Sequence, residues 1–326
     1  GKIKQRENTP DSFLEPFLAS HEKVKKTSAP PERSKSKPAS KPSLTRDEVV
    51  AFQVALESRH FSVGCIDGST GSKTREAIKA FQTSQGLSAT GQADPTTLAR
   101  LEPPPDPFTT HIVTSAEIGS LTTVPKTWLK KSEVPRLGYR TVLELVAEKY
   151  HASQTLVRKL NPDASWPNPP AGAHIKVPNP QDRPLPNALK ICISLRRKIL
   201  QVFDPSGRLA AQFPCSIAAQ QDKQPVGRLE VVNVAPDPNY LFNPELFPES
   251  PEARSIKRKL IIPPGPNNPV GLVWIGLSKP GYGIHGTPDP ESIGQAASHG
   301  CFRLANWNAL KLLKMVETGT PVFVEK

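Results

Sequence analysis

The chain has 326 residues, enough for two or three domains of ordinary size, and 37% of them are hydrophobic, which is enough to bury a core. Its net charge of +12 favours a polyanionic partner but does not choose among nucleic acid, anionic lipid and an acidic cell wall. The absence of 18 consecutive apolar residues excludes a transmembrane helix, and the absence of a nucleic-acid-binding motif argues against nucleic acid.

Residues 1–43 have the composition of a tether. They hold ten Lys or Arg against five Asp or Glu, are rich in Ser and Pro, and show no apolar periodicity. Such a segment cannot bury enough surface to offset its ordering entropy, so we predict that it is largely disordered. The chain begins with Gly and shows no apolar signal-peptide core, which is the character of a processed product.

Residues 44–101 contain a near repeat, TRDEVVAFQ at 45–53 and TREAIKAFQ at 74–82. Thr45 and Glu48 form a capping-box pattern, and apolar residues at helical spacing follow in both copies. A third short helix is predicted to begin in the sequence DPTTLARL. The three helices are expected to pack around one small core, with Phe52, Phe81 and Leu98 at its centre.

The loop between the two copies has the pattern DG-x-x-G-x-x-T, formed by Asp67, Gly68, Gly71 and Thr74. The helix that follows it ends in AFQ. On these residues the unit resembles the PG_binding_1 type of peptidoglycan-binding domain. The resemblance implies that the loop contacts peptidoglycan through Asp67, Gly68, Gly71 and Thr74. A generic helical spacer is the alternative interpretation.

Residues 108–180 are less regular in their first half. Their second half predicts a helix around Val142–Tyr150, a second helix around Leu156–Leu160, and a strand ending at Pro178. This order resembles a LysM domain, which recognises glycans that contain N-acetylglucosamine. An unrelated α/β connector is the alternative.

Residues 187–326 change to strand-like alternation, interrupted by Pro-rich loops at 236–251 and 263–269 that we expect to rim a groove. One late helix is predicted, with Asn306 as its N-cap. The whole chain is therefore predicted to be a multidomain α+β protein. Its parts are a small three-helix domain, a LysM-like α/β segment, and a mostly β domain with one packed helix.

The sequence SHGCFRL at 298–304 places Cys301 among glycine and polar residues. His285, just upstream, could lower the thiol's pKa or take its proton, and a turn at Gly300 could aim backbone amides at an oxyanion. Arg303 is suited to bind a carboxylate. Two alternatives stay open from spacing alone: a zinc site formed by His285, His299 and Cys301, and a structural cysteine.

The residues HGT at 285–287 and SHGCFRL at 298–304 resemble the signature of the YkuD-type L,D-transpeptidase family. The resemblance implies that Cys301 is the acylated nucleophile and His285 its general base, oriented by the backbone carbonyl of Gly286. It further implies that the backbone amides of His299, Gly300 and Cys301 form the oxyanion pocket. The site-shaping and substrate-binding residues expected on this basis are Ser298, His299, Gly300, Tyr282 and Arg303.

The implied reaction starts on a peptidoglycan tetrapeptide stem. Cys301 displaces D-Ala to form a thioester, and an amine, typically of a second stem, resolves it into a 3-3 type cross-link. No metal or organic cofactor is required, carbapenems are expected inhibitors, and the periplasm or cell envelope is the expected location. The alternatives are a non-catalytic wall-binding scaffold, or a family variant that hydrolyses cross-links or anchors a protein to the wall.

The remaining cysteines carry weaker expectations. Cys192 and Cys215 could face each other on neighbouring strands and form a disulfide in an oxidising compartment, although sequence does not give their separation. Cys65 lies in the loop of the first domain and is expected to be inert.

Overall fold

A computed structural model describes residues 44–220, 224–247, 249–294, 296–298 and 300–326, with only the backbone at 296–298. Residues 44–326 form one compact unit. The predicted tether at 1–43 lies outside the described residues, as does His299. We refer below to the N-terminal domain (44–101), the middle domain (108–180) and the C-terminal domain (187–326).

The N-terminal domain consists of three helices, as predicted: α1 (Arg46–Ser58), α2 (Ser72–Ser84) and α3 (Pro95–Leu101). The Thr45–Glu48 capping box is present in both directions. Phe52 and Phe81 are almost fully buried in the core, and Leu98 packs against it from a half-buried position. The apolar spacing of the two copies therefore predicted both the helices and the core.

The glutamine that ends each repeat copy holds a loop in place. The Gln53 amide nitrogen donates to Asp67 Oδ1 (3.0 Å) and to Thr74 Oγ1 (3.1 Å), while its oxygen accepts from the backbone N–H of Gly68 (2.9 Å). Gln82 does the same for the following turn, where it bonds Thr97 Oγ1. A buried amide that uses both its oxygen and its nitrogen fixes loop geometry strongly.

The middle domain contains the two helices and the strand that its second half predicted. A two-stranded antiparallel sheet, β1 with β2, closes the domain. The LysM-like assignment itself stays a prediction. The elements are β1 (Phe108–Ile112), α4 (Ser115–Gly119), α5 (Trp128–Ser132), α6 (Val142–Lys149), α7 (Gln154–Leu160) and β2 (His174–Pro178).

The C-terminal domain is built on an eight-stranded mixed sheet in the order β13-β11-β10-β7-β14-β3-β4-β5, with one helix, α9 (Asn306–Met315), packed on it. The alternating pattern of the sequence buries one face of these strands in the main core. Four further strands of the domain form two separate pairs, β6 with β12 and β8 with β9. The strands of the domain are β3 (Lys190–Ser194), β4 (Ile199–Phe203), β5 (Leu209–Pro214), β6 (Ile217–Ala218), β7 (Gly227–Pro236), β8 (Tyr240–Phe242), β9 (Leu260–Ile262), β10 (Val273–Leu277), β11 (Gly283–His285), β12 (Ala296–Ser298), β13 (Phe302–Arg303) and β14 (Pro321–Glu325).

Two details of the C-terminal domain differ from the sequence prediction. The Pro-rich segment 236–251 is not only loop, because it contains β8, which pairs with β9, and it leads into the short helix α8 (Pro251–Ser255). Asn306 is the first residue of α9 and not its N-cap; Ala305 takes that position without a side-chain cap. The Asn306 amide is used in the tertiary contacts described below.

The disulfide considered for Cys192 and Cys215 is not formed, since neither of the two cysteines is bridged. Cys192 on β3 pairs with Gln201 on β4 and with Phe323 on β14, whereas Cys215 follows β5 at the edge of the sheet. The two cysteines are therefore separated by β4 and do not lie on neighbouring strands. Burial raises the pKa of Cys65 far above that of a free thiol, in keeping with an inert residue.

The three domains are packed against one another through buried polar contacts. The backbone of β5 exchanges hydrogen bonds with the chain after α1, Ser62 N–H to Gln212 O and Gln212 N–H to His60 O. The Lys311 ammonium on α9 lies 3.2 Å from the buried Glu57 carboxylate on α1. In the middle domain, the His151 ring stacks on Trp307, 5.1 Å between ring centres. The three domains thus keep separate main cores and are joined by polar and aromatic contacts.

Candidate active site

Two neighbouring strands bring Cys301 and His285 to the same edge of the sheet. β11 and β13 run parallel, with Ile284 opposite Phe302 and His285 opposite Arg303. Ile284 and Phe302 are fully buried in the core. Because side chains alternate along a strand, His285, Arg303 and Cys301 share the other face. Cys301 directly precedes β13, and the register continued by one residue places it opposite Gly283, so the two predicted reactive residues lie on one face, two positions apart along it.

The imidazole of His285 is held in one tautomer. Its Nδ1 lies 2.6 Å from the carbonyl oxygen of Gly286, so Nδ1 carries the proton and donates it, and Nε2 remains an acceptor. The ring is buried and stacks against Trp274, 5.8 Å between centres. Burial lowers the pKa of His285 to about 4, the Gly286 carbonyl opposes this, and the charge of Arg303 adds to it. His285 is therefore a neutral base at pH 7.

The Cys301 sulfur is half-buried and surrounded by polar backbone. Sγ lies 3.7 Å from the carbonyl oxygen of Gly281. Burial raises the pKa of Cys301, while the backbone of Gly283 and the charge of Arg303 lower it. Burial outweighs the two opposing effects, so the resting Cys301 is a thiol and needs a base to take its proton before it can act as a nucleophile.

The turn after His285 is anchored by Asn306. The Asn306 side-chain oxygen accepts from the backbone N–H of Thr287 and of Leu272, both at 3.1 Å. Its nitrogen donates to both carboxylate oxygens of Glu148 in the middle domain, at 3.0 and 3.1 Å. A side chain at Gly286 would collide with the same Asn306 oxygen, which explains the glycine after the histidine. Burial raises the pKa of Glu148 to about 7, although hydrogen bonds from Tyr139 and Asn306 oppose it.

Two residues of the site were missed by sequence reasoning. Tyr240 on β8 is close enough for the charges of Cys301 and Arg303 to act on its pKa, which burial raises. Trp274 on β10 pairs in register with His285 and forms one wall for its ring. Trp274 is a rare aromatic residue in the strand before the motif, which is a weak signal. Nothing in the sequence marks Tyr240, because it enters from a hairpin about sixty positions before Cys301.

The other predicted site residues are distributed around this pair. Arg303 follows Cys301 by two residues and is half-buried, and burial lowers its pKa while Cys301 and Asp289 raise it. The Tyr282 ring packs against Gly300, whose φ of +155° is rarely adopted by residues with a side chain. The backbone of Ser298 lies in β12, paired with Ala218. His299 is outside the described residues, so its proposed oxyanion role stays a prediction.

The described residues hold neither a metal centre nor a membrane span. Among them, which do not include His299, no three His, Cys, Asp or Glu side chains gather as a metal site would require. Within the same part of the chain, no helix combines the length and apolar character needed to cross a bilayer.

Comparison with known protein families accounts for both ends of the described chain. The YkuD model, described as "L,D-transpeptidase catalytic domain", matches residues 188–324. The chain carries a YkuD-type L,D-transpeptidase catalytic domain. A second model, PG_binding_1, described as "Putative peptidoglycan binding domain", matches residues 45–101. The predicted family and the enzyme class are confirmed, and peptidoglycan is supported as the partner.

Several curated proteins with similar sequences are named as putative L,D-transpeptidases. The "Putative L,D-transpeptidase YkuD" of Bacillus licheniformis is 29% identical over 185 residues, covering 56% of this chain and 92% of its own length. The Bacillus subtilis protein of that name is 46% identical over 61 residues, which cover 19% of this chain and 37% of that protein. A "Putative L,D-transpeptidase" of Fuscovulum blasticum is 34% identical over 34% of this chain and 56% of its own length.

Solved L,D-transpeptidases align with low scores. The enzyme from Xylanimonas cellulosilytica covers 85% of this chain and 93% of its own at 17% identity and a TM-score of 0.36. L,D-transpeptidase 3 from Mycobacterium tuberculosis covers 48% and 76% at 15% identity and a TM-score of 0.34. The family assignment therefore rests on the family models and on the motif residues.

The predicted peptidoglycan loop of the N-terminal domain is joined to the catalytic domain. Asp67, Gly68 and Thr74 are tied to Gln53, and Thr74 is buried, whereas Gly71 is exposed, with open space where a Cβ would lie. Lys73, in the first turn of α2, donates to the carbonyl oxygen of Ile293 at 3.0 Å. Contact of this loop with peptidoglycan stays a prediction.

Proposed function

We propose that this enzyme is an envelope L,D-transpeptidase that forms 3-3 cross-links between peptidoglycan stems through a thioester on Cys301. The observation that carries the proposal is the arrangement of Cys301 and His285 on one face of β11 and β13. His285 is fixed there by the Gly286 carbonyl with Nε2 as acceptor. This is the pairing of nucleophile, base and orienting group that covalent acyl transfer uses.

In the first step, His285 Nε2 takes the thiol proton while Cys301 Sγ attacks the carbonyl before the terminal D-Ala of a tetrapeptide. The tetrahedral oxyanion is stabilised by backbone amides of residues 299–301. The C–N bond then breaks, the imidazolium returns the proton to the leaving amine, and D-Ala departs. The product is a tripeptide thioester on Cys301.

In the second step, the amine of a second stem attacks the thioester carbonyl and gives its proton to His285. The C–S bond breaks, an amide bond forms between the stems, and the imidazolium of His285 returns its proton to the Cys301 sulfur, which restores the resting thiol and neutral imidazole. Tyr282 and Arg303 line the approach to the sulfur, and we assign them to substrate binding, with Arg303 suited to a stem carboxylate. Carbapenems are expected to acylate the same sulfur.

The deciding experiment is incubation of the full chain with disaccharide-tetrapeptide, followed by intact-protein and product mass spectrometry. The unmodified chain should gain the mass of a tripeptide acyl group, release D-Ala and form dimers. Cys301→Ala should lose all three activities. Cys192→Ala is the matched control, because Cys192 is also a half-buried free thiol but lies on β3, away from the site.

Different products separate the alternatives. An unmodified chain that neither releases D-Ala nor reacts with a carbapenem would identify a wall-binding scaffold. D-Ala release with water as the only acceptor, or cleavage of preformed cross-links, would identify a hydrolase instead.

A further inference from the structure

A cleft of about 580 Å³ lies between the middle domain and the loop that follows His285. Helices α6 and α7 form one wall, and residues 288–291 of the catalytic domain form the other. Its size is within the range of small-molecule and peptide-side-chain sites. The charged residues on its walls are Arg140, Glu144, Glu148, Arg158, Asp289 and Glu291.

Three of the carboxylates in this cleft already have partners. Glu148 accepts from Tyr139 and Asn306, and Glu144 accepts from the Asn267 side chain at 2.8 Å. Glu291 accepts from the backbone N–H of Gln154 at 2.9 Å, which joins the two walls. These three carboxylates therefore build the cleft and hold it to the catalytic loop.

Two charged side chains of the cleft, Arg158 and Asp289, have no ion-pair partner in the described part of the chain. Within the described part of the chain, the Asp289 carboxylate and the Arg158 guanidinium form no hydrogen bond or ion pair; Arg158 only lies over the Trp166 ring, 5.9 Å from its centre. Both side chains are exposed, Arg158 on the α7 wall and Asp289 on the loop wall. An unused positive and an unused negative group on facing walls favour a ligand that carries both charges.

The cleft is connected to the reacting residues. Its loop wall begins three residues after His285, and Asp289 is close enough to Arg303 for its charge to raise the pKa of that guanidinium against the effect of burial. Glu148 at the cleft is bonded to Asn306, which also holds Thr287 next to the HG turn. A ligand in the cleft would therefore contact the segment that follows His285 and leads to Cys301.

We propose that this cleft binds the acceptor stem peptide, with a stem carboxylate at Arg158 and the ammonium group directed by Asp289 toward Cys301. The inference rests on the proposed function and adds the location of its second substrate. A neutral glycan would use neither free charge, and an anionic wall polymer would be repelled by Asp289. The middle domain thus supplies part of the acceptor site.

The test compares Arg158→Glu with Lys159→Glu in the full chain. Lys159 is the next residue of α7, is also exposed, and does not line the cleft, so the two variants have the same net charge. Acylation of Cys301 is measured first with a carbapenem, which supplies no stem amine and so acts without an acceptor. Dimer formation is then measured against the concentration of a disaccharide-tripeptide, which lacks D-Ala and can act only as acceptor. Thermal unfolding confirms that both variants are folded.

We expect Arg158→Glu to raise the half-saturating tripeptide concentration at least tenfold, with Cys301 acylation within twofold of the unmodified chain, and Lys159→Glu to change neither. A tripeptide with amidated carboxylates should show the same loss with the unmodified chain and little further loss with Arg158→Glu. An unchanged acceptor dependence in Arg158→Glu, or an equal loss in the acylation step, would overturn the acceptor site. Absence of acylation in the unmodified chain would instead overturn the proposed function.

Discussion

At the scale of single residues, the protonation states of Cys301 and His285 decide how the reaction starts. Burial raises the pKa of the thiol and lowers that of the imidazole to about 4. Both groups are therefore neutral in the resting enzyme at pH 7, and no thiolate–imidazolium pair is preformed. The proton moves to Nε2 as the substrate carbonyl is attacked.

The first prediction concerns the acid limb of the pH–rate profile. Because the pKa of His285 is lowered from 6.5 to about 4, the imidazole stays a base as the pH falls through 6.5. We expect kcat/KM for D-Ala release to fall only near pH 4–5, as measured from pH 4 to 9 on protein whose fold is monitored by circular dichroism. An acid limb near pH 6.5 would show that the imidazole is not shielded as described.

How much of the site could be predicted depended on distance along the chain. Cys301, His285 and Gly286 lie within seventeen positions of one another in a recognisable pattern, and the predicted carbonyl partner of His285 is confirmed. Tyr240 was missed because a hairpin of a separate segment brings it in. Asn306 was given the wrong role because asparagine is a good N-cap, and local propensity does not reveal the tertiary hydrogen bonds of its side chain.

At the scale of elements, the segment that joins His285 to Cys301 is held by all three domains. Asn306 binds it at Thr287, and the backbone of Gln154 in the middle domain binds it at Glu291. Lys73 in the N-terminal domain binds it at Ile293, and the Ser216 hydroxyl accepts from Gly294 N–H at 3.1 Å. A segment held at several points keeps nucleophile and base in register, which is a requirement for a precise site.

The second prediction tests the contact from the N-terminal domain. Lys73→Met removes the donor to the Ile293 carbonyl, so the segment gains freedom and the rate of Cys301 acylation by a carbapenem should fall about two- to tenfold. The matched control is Lys79→Met on the same helix. Lys79 pairs with Glu76 inside its own domain, and its loss should leave the acylation rate unchanged. Equal rates for both variants would contradict a positioning role of Lys73.

Element prediction succeeded where the periodicity was local. The helices of the N-terminal domain and the strand pairs at 190–203 follow their apolar spacing, and each buries the face that the pattern indicated. The segment 236–262 was harder, because prolines obscure β8 and β9, which are only three residues long each. Their stability comes from packing around Phe242 and Trp128, a contact between distant segments that periodicity does not encode.

At the scale of the whole molecule, a buried ionic cluster joins the N-terminal domain to the catalytic domain. Burial alone would raise the pKa of Glu57, but the charges of Lys311 and His151 lower it. Lys311 lies 3.2 Å from Glu57 and 2.7 Å from Asp182. Charged residues are usually exposed, so the sequence does not indicate that Glu57 and Lys311 form this buried contact between the two domains.

The third prediction is that Lys311→Met destabilises the protein through the carboxylate it leaves behind. Removing one partner of a buried ion pair costs about 3–5 kcal/mol of unfolding free energy, and we expect the lower end of that range because His151 remains 3.2 Å from Glu57. The native Glu57 pKa is lowered, so its contribution to stability is present above the unfolded value of about 4.5 and is lost as the pH falls below it. In the variant the pKa rises above that value, and the loss of stability should grow from pH 5 to pH 8.

Urea denaturation at pH 5 and pH 8 measures this dependence. The double variant Glu57→Gln with Lys311→Met removes both charges and should recover most of the stability at pH 8. A single variant equally destabilised at both pH values, with no recovery in the double variant, would show that lost packing and not charge is responsible.

The docking of α2 on β5 fixes the distance between the Asp67–Thr74 loop and the domain that carries Cys301. Because the Asp67–Thr74 loop is fixed to the domain that carries Cys301, it cannot swing independently of the sulfur. If that loop binds a glycan strand, only stem peptides at one fixed distance from the bound segment can reach the Cys301 sulfur. Cross-links would then recur at a preferred interval along each strand, which a long flexible hinge in the same place would abolish.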